Sequence, residues 1–420
     1  MKGFWIFLLC LLLTACGPAM AASQNTVPEE AAGMPELTAP GGYIPPPDMK
    51  AMWLTQFDLT DIYRAGDRQR PKEAFTQKVE TILENITAMG FNTVFLQLRP
   101  NADSMYPSDY YPMSAYVTGV YGREAEYDAV QILVEKAREK GLSVHGWINP
   151  MRGMAAEELA LVGEEYPIGR WATQPDKLGT YLVAVEGKWY LNPAYAEVRQ
   201  LITDGAREAM ERYDLDGLHI DDYFYPTTGE DFDRQAYAEF GFGRELADFR
   251  RQNLNSLVAE LYRVAHEAGG IFGVSPAGNI KTVYEKHYAD VYAWCSQPGY
   301  VDYLCPQVYF GMEHESHDFV KVCRTFSQVI RQDGVKLVVG MSFGKALSGE
   351  DPYAGSGGEE WKQHKDVLLR SLRSTRELPH CWGVAVFCYG YFYDPVTGLP
   401  VEETWQEREN FLPAFRKMEW

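Results

Sequence analysis

The residues of this chain best placed to do chemistry are two adjacent carboxylates, Asp221 and Asp222, which end an apolar run in the segment 214–226, DLDGLHIDDYFYP. A carboxyl kept protonated can give its proton to a leaving oxygen, and one that stays ionised can assist attack. Cleavage of a glycosidic bond needs that pair of roles. Side chains alternate along a strand, so Gly217, His219 and Asp221 share one face, and Leu218 and Ile220 share the other. The apolar pair then packs beneath helices and Asp221 reaches the open end of a pocket. A plainer reading, in which the two Asp residues only cap the following segment, rests on the same residues.

Something must hold such a pair. From about residue 49, short apolar runs alternate with amphipathic helical stretches, the pattern of a parallel sheet with crossover helices. Eight runs read as strands: 51–57, 92–99, 143–149, 217–222, 271–275, 303–309, 336–342 and 383–389. Between them, segments such as 71–89 carry Phe75, Val79, Ile82, Leu83 and Ile86 on one helical face. Gly90, Gly141, Gly270 and Gly334 stand just before strands, where helices stop. Eight such units predict a (β/α)8 TIM barrel with its active site at the C-terminal ends of the strands. The connection after strand three is long, and 180–193 reads as a β-hairpin turning at Glu186-Gly187, hung over the barrel mouth. A Gly-rich loop, 348–358, forms a second lip.

Strand parity then gathers a set of side chains at the mouth. Strand two presents Gln97 and Arg99, followed by Asn101 and Asp103; strand three presents His145, Trp147 and Asn149, followed by Arg152. Strand four gives His219 and Asp221, then Tyr223; strand five gives Ser275; strand six gives Gln307 and Tyr309; strand eight gives Phe387 and Tyr389. Inward polar groups at strand ends are costly unless they bind each other or a ligand. Gln97, Arg99, Asn101, His145, Trp147, Asn149, Arg152, His219, Tyr223, Gln307, Tyr309 and Tyr389 are therefore expected to bind substrate. Aromatic faces suit the C–H faces of sugar rings. For the second carboxylate, Asp103, Glu313 and Asp394 all follow strand ends, and Asp103 has the more suggestive context. Asp103 lies two strands from Asp221, roughly 10 Å at ~4.8 Å per strand. That spacing favours the wider carboxyl pair, hence Asp103 as base and inversion of the anomeric centre. His219 to Asp222 and Glu313 to Asp318 hold ligand types at short spacing, but the first strand lacks the His-x-His of metal-dependent amidohydrolase barrels. No metal and no other cofactor is expected.

Residues 1–16 read as an export signal: Lys2, an apolar run over 4–13, then Leu-Thr-Ala-Cys ending at Cys16, the expected lipidation site. Residues 17–47 are Pro-, Ala- and Glu-rich and read as a tether reaching on the order of 30 Å. The barrel is expected over 48–415, at the outer face of a cell membrane. The charge of −19 repels phosphate polymers, so nucleic acid is not an expected partner. Seven Cys include Cys10 and Cys16; the odd remainder, set in apolar runs, predicts buried thiols rather than disulfides.

The blocks MWLT (52–55), VFLQLRPNADSMYPS (94–108), HGWINPMR (145–152), KWYLNP (188–193), DGLHIDDYFYP (216–226) and PQVYF (306–310) resemble the glycosyl hydrolase-like 10 family of bacterial lipoproteins. The resemblance spans about residues 48–415. It implies a TIM-type barrel and, for at least one branch, cleavage of peptidoglycan glycan strands stripped of their stem peptides. A more distant similarity links the fourth strand to chitinase-type barrels, which carry Asp-Gly-x-Asp-x-Asp-x-Glu. Here those positions read Asp216, Gly217, His219, Asp221 and Tyr223, so the Glu acid is absent. The expectation is a membrane-anchored extracytoplasmic glycoside hydrolase whose partner is an N-acetylated cell-wall polysaccharide. The alternative is a carbohydrate-binding barrel lipoprotein without catalysis.

Overall fold

The computed structural model describes residues 43–420. Cys16, the signal and the tether as far as residue 42 lie outside the described residues. Eight parallel strands close into a barrel: β1 (Met49–Leu54), β2 (Thr93–Arg99), β3 (Ser143–Ile148), β4 (Gly217–Ile220), β5 (Ile271–Val274), β6 (Tyr303–Leu304), β7 (Lys336–Ser342) and β8 (Cys381–Phe387). Each strand pairs with its neighbours in sequence, and β1 closes on β8. The register sets Gln97 beside Trp147, Trp147 beside His219, and His219 beside Gly273. This is the predicted (β/α)8 barrel.

Two predicted strands end early, for local reasons. After Leu54 the chain enters a helix, Gln56–Tyr63, because the Thr55 hydroxyl accepts from the Asp58 N–H while the Asp58 carboxylate accepts from the Thr55 N–H. This reciprocal cap was written as Thr-x-x-Asp. On strand six, only Tyr303 and Leu304 join the ladder, and Gln307 touches its neighbours through isolated bridges. Pro306 brings no N–H to continue the pairing.

The outer helices behave as their periodicity predicts. Phe75, Val79, Ile82, Leu83 and Ile86 are all buried along Lys72–Met89, and Gly90 ends that helix at φ +95°, where its N–H donates to the carbonyls of Ile86 and Thr87. After β3, Leu182–Val185 and Lys188–Leu191 form the expected hairpin, with Glu186 and Gly187 both at positive φ in the two-residue turn. A third strand, Arg152–Ala155, joins its open edge. Gly153 allows that approach, since a Cβ there would lie 2.3 Å from the Trp189 carbonyl oxygen.

Inside the barrel, below the mouth, the Tyr303 hydroxyl meets Nδ1 of both His145 and His219, at 2.9 and 3.0 Å. Phe95 stacks on His219 at 4.1 Å. Gly273 makes room for the Tyr303 ring, since a Cβ there would meet it at 1.9 Å. Cys295, Cys305, Cys323, Cys381 and Cys388 are free thiols, and all but Cys381 are buried. Among the described residues, no helix is long and apolar enough to cross a membrane.

Candidate active site

A cavity of about 180 Å³ opens at the C-terminal ends of the strands. β1 contributes Trp53 to its wall, the start of the helix that follows contributes Thr55, Gln56 and Phe57, and β2 contributes Gln97. Trp147 and Arg152 come from β3 and the segment that follows it; Asp221, Asp222 and Tyr223 follow β4. Gln307 and Tyr309 follow β6, and Phe387 ends β8. Polar groups and aromatic faces therefore meet around one pair of carboxylates.

Asp221 is nearly inaccessible, at 3 % exposure. Its Oδ2 accepts from the Trp147 indole N–H at 3.1 Å and from the Asn149 amide, and its Oδ1 accepts from the Tyr223 N–H at 3.3 Å. Asn149 is the last link of a relay. The Gln56 N–H donates to Gln97 Oε1 at 2.7 Å, and the Gln97 amide donates to Asn149 Oδ1 at 2.8 Å. The orientation of Asp221, just after β4, is thus set from the helix that follows β1, through Gln97 on β2 and Asn149 after β3. Asp222 is half-buried and accepts from the Gln307 amide at 3.1 Å, while Gln307 also donates to the Ser275 carbonyl.

Burial, and then the adjacent Asp222 charge, push the Asp221 carboxyl well above the usual carboxylate range. Burial raises Asp222 as well, and its bond from Gln307 opposes the rise. Two carboxyls this close, both short of water, share a proton more readily than they both ionise. One proton donor and one anion in a single pocket is the arrangement that acid-assisted cleavage requires.

Of the residues expected at the site, Gln97, Trp147, Arg152, Tyr223, Gln307 and Tyr309 line the cavity with the Asp pair. Asn149 stands behind the wall and acts on Asp221. The others are corrected. Asp103 is fully buried off the cavity wall, accepting from the Asn101 N–H at 2.8 Å and the Tyr121 hydroxyl at 3.2 Å, and Asn101 is buried beside it. Asp103 therefore ties its own loop together and does not line the cavity. Parity fails at Arg99, because the register slips between Gln97 and Arg99; its guanidinium donates to the Tyr111 hydroxyl and to the carbonyls of Asn149 and Pro150.

His145 and His219 do point inward, but they lie fully buried beneath the pocket. Burial holds His145 down to about 3 and His219 well below its usual value, and neither lines the cavity. Tyr389 sits in a turn beyond the end of β8, where alternation no longer applies, and its hydroxyl accepts from Asn85 in the helix layer. Glu313 faces His364 at 3.7 Å and Asp394 accepts from Thr397; neither lines the cavity. The 348–358 loop also stays off its wall, and of the three-stranded sheet only Arg152 reaches it.

Sequence reasoning missed Thr55, Gln56 and Phe57, although the capping signal at Thr55 and Asp58 marks where the strand stops. It also missed the clamp on the loop that carries the Asp pair onward. Arg250 and Asp233 form an ion pair with both side chains fully buried, and Arg250 also donates to the Thr227 and Gly229 carbonyls. Among the described residues, no group of three or more His, Cys, Asp or Glu is placed to hold a metal ion.

The chain is 31% identical over 328 residues to the glycosyl hydrolase YngK of Bacillus subtilis, covering 73% of this chain and 62% of that protein. It thus spans less than two thirds of that relative's length. It is 27% identical over 424 residues to the glycosyl hydrolase DigH of Escherichia coli K12, covering 93% of this chain and 92% of that one. Among solved structures, the glycoside hydrolase domain of PgaB (BpsB) from Bordetella bronchiseptica superposes with TM-score 0.53 at 10% identity, covering 87% of this chain and 99% of that one. The catalytic domain of β-amylase from Paenibacillus polymyxa superposes with TM-score 0.52 at 11% identity, covering 88% and 99%. At such low identity these two share the fold alone. The sequence profile of the glycosyl hydrolase-like 10 family matches residues 48–352, and the chain, built on a closed (β/α)8 barrel, belongs to that family.

Proposed function

We propose that the enzyme cleaves an N-acetylated cell-wall glycan, peptidoglycan glycan strands or a close relative, outside the cytoplasm, with Cys16 lipidated at the cell membrane. The observation that carries the reading of the site is that, among the described residues, the only carboxylates lining the cavity are the neighbours Asp221 and Asp222. Neither a carboxylate nucleophile nor a carboxylate base stands on the opposite wall, which leaves the sugar to supply the attacking group. In this scheme the 2-acetamido carbonyl oxygen attacks C1 while the proton that the pair shares passes to the departing oxygen through Asp222, the less buried of the two. Asp221, ionised and held by Trp147 and Asn149, steadies the positive charge that develops on the acetamido group. Water, deprotonated by Asp222, then opens the cyclic intermediate. Two displacements at C1 leave the anomeric configuration unchanged, which replaces the inversion expected from Asp103.

The soluble barrel would be incubated with oligosaccharides of alternating N-acetylglucosamine and N-acetylmuramate, and the products sized by mass spectrometry. Proton NMR of the first product should show the substrate's own anomer, and the opposite anomer would sink the acetamido scheme. Asp222→Asn should lower turnover on the order of 10² or more while the protein stays folded. For the anchor, Cys16→Ala should release the protein from the membrane fraction, and retention with an unchanged N-terminal mass would contradict lipidation.

A further inference from the structure

We propose that Arg152 makes the pocket a reader of acidic sugars, recognising a carboxylate borne by the glycan. This rests on the wall-glycan reading above and concerns what that same site selects. Among the described residues, Arg152 is the only cation that lines the cavity. Its guanidinium lies 4.5 Å over the Tyr223 ring. Among the described residues, no protein acceptor takes a hydrogen bond from its guanidinium, and no carboxylate oxygen, of Asp221, Asp222 or any other, comes within 4 Å of it. A guanidinium laid on an aromatic face keeps its N–H edge free for a planar two-oxygen acceptor in its own plane.

The placement is built rather than incidental. Arg152 is the first residue of the strand Arg152–Ala155, held opposite Tyr190 in the three-stranded sheet, while Tyr223 follows the catalytic Asp pair directly. At 44 % exposure, Tyr223 offers a ring at the rim beside that cation. The chain as a whole carries −19, so an anionic polymer approaching it is repelled everywhere that a positive group does not answer. In a wall glycan the matching group is the lactyl carboxylate of N-acetylmuramate, attached at the 3-oxygen of a ring that keeps the 2-acetamido group.

The test compares three soluble substrates on the intact enzyme: the N-acetylglucosamine and N-acetylmuramate oligosaccharide as the free acid, the same oligosaccharide with each carboxylate converted to its methyl amide, and a chitin oligosaccharide of equal length. The wild type should prefer the free acid by about 10- to 100-fold in kcat/KM, the effect of a charge-assisted bidentate contact. Arg152→Gln should bring the free acid and the methyl amide to within about 3-fold of each other, whatever their common rate; Arg152→Lys should retain part of the preference. Equal rates of the wild type on all three substrates would overturn the carboxylate assignment while leaving the wall-glycan reading standing. An Arg152→Gln variant that slows the free acid and the methyl amide by the same factor would also overturn it, and would leave Arg152 acting only on the Asp pair. Cleavage of none of the three would refute the wall-glycan reading, and this inference with it.

Discussion

Replacing Trp147 with Phe removes one hydrogen-bond donor from Asp221 and keeps an aromatic ring in the cavity wall. The indole N–H lies 3.1 Å from Asp221 Oδ2, and an indole only donates, so this bond favours the ionised carboxylate and not the acid. A hydrogen bond to a charged group contributes about 1.5–3 kcal/mol, which corresponds to roughly a 10- to 100-fold change in proton affinity. The low end is expected here, because the Asn149 amide and the Tyr223 N–H still donate to the same carboxylate. The direction follows from the roles. Burial and the Asp222 charge already raise the Asp221 carboxyl, and losing a donor raises it further. If the anion is the working form, the acidic limb of kcat/KM against pH moves to higher pH by about one tenfold step in proton concentration, and activity recovers above it. The assay is kcat/KM for the wall oligosaccharide across about pH 4 to 9, with thermal unfolding alongside. An acidic limb that stays in place while the whole profile drops evenly would refute the proposed role of Asp221, and would make Trp147 a sugar platform only.

Asp103→Asn should keep turnover per folded molecule near wild type and lower thermal stability, since Asp103 is buried among Asn101, Ser114 and Tyr121; a turnover loss of 10²-fold with stability unchanged would restore it as a reacting group. Glu407 is buried on the helix Trp405–Phe415, and burial raises it to about 7, so the folded state holds its proton more tightly than the unfolded chain does. Its contribution is therefore favourable below about pH 4.5 and is lost as pH rises through about 7, at most about 3 kcal/mol. Glu407→Gln should flatten that slope in chemical denaturation, and an unchanged slope would contradict the assignment. Gly273→Ala should displace the Tyr303 ring from His145 and His219 and cost about 1–3 kcal/mol or more by overpacking, read as a lower denaturation midpoint.

The amino-acid sequence by itself determined the barrel and most of the pair's surroundings. Apolar runs and 3.6-residue periodicity follow from which face of each element meets the core. Both are local properties, so eight strands and their helices could be read within a few residues, as could the Glu186-Gly187 turn. Alternation placed Gln97, Trp147, Asp221 and Gln307 on the inner face because side chains in a regular strand must point to opposite sides. The tertiary structure decided whatever depends on depth or on a break in that regularity. His145 and His219 obey parity as well as Asp221 does, but they lie lower in the barrel, where burial makes them neutral core residues. Arg99 and Tyr389 left the pocket because a register slip and the end of a strand cancel alternation, and neither is a local preference of the residue itself. Asp103 and Asp222 look alike as carboxylates after strand ends; the loop that folds Asp103 under Tyr121, and the Gln307 amide that reaches Asp222 from β6's far side, involve partners 18 and 85 residues away. Which carboxylates share a cavity is a question of distances between strands, and those exist only once the barrel has closed.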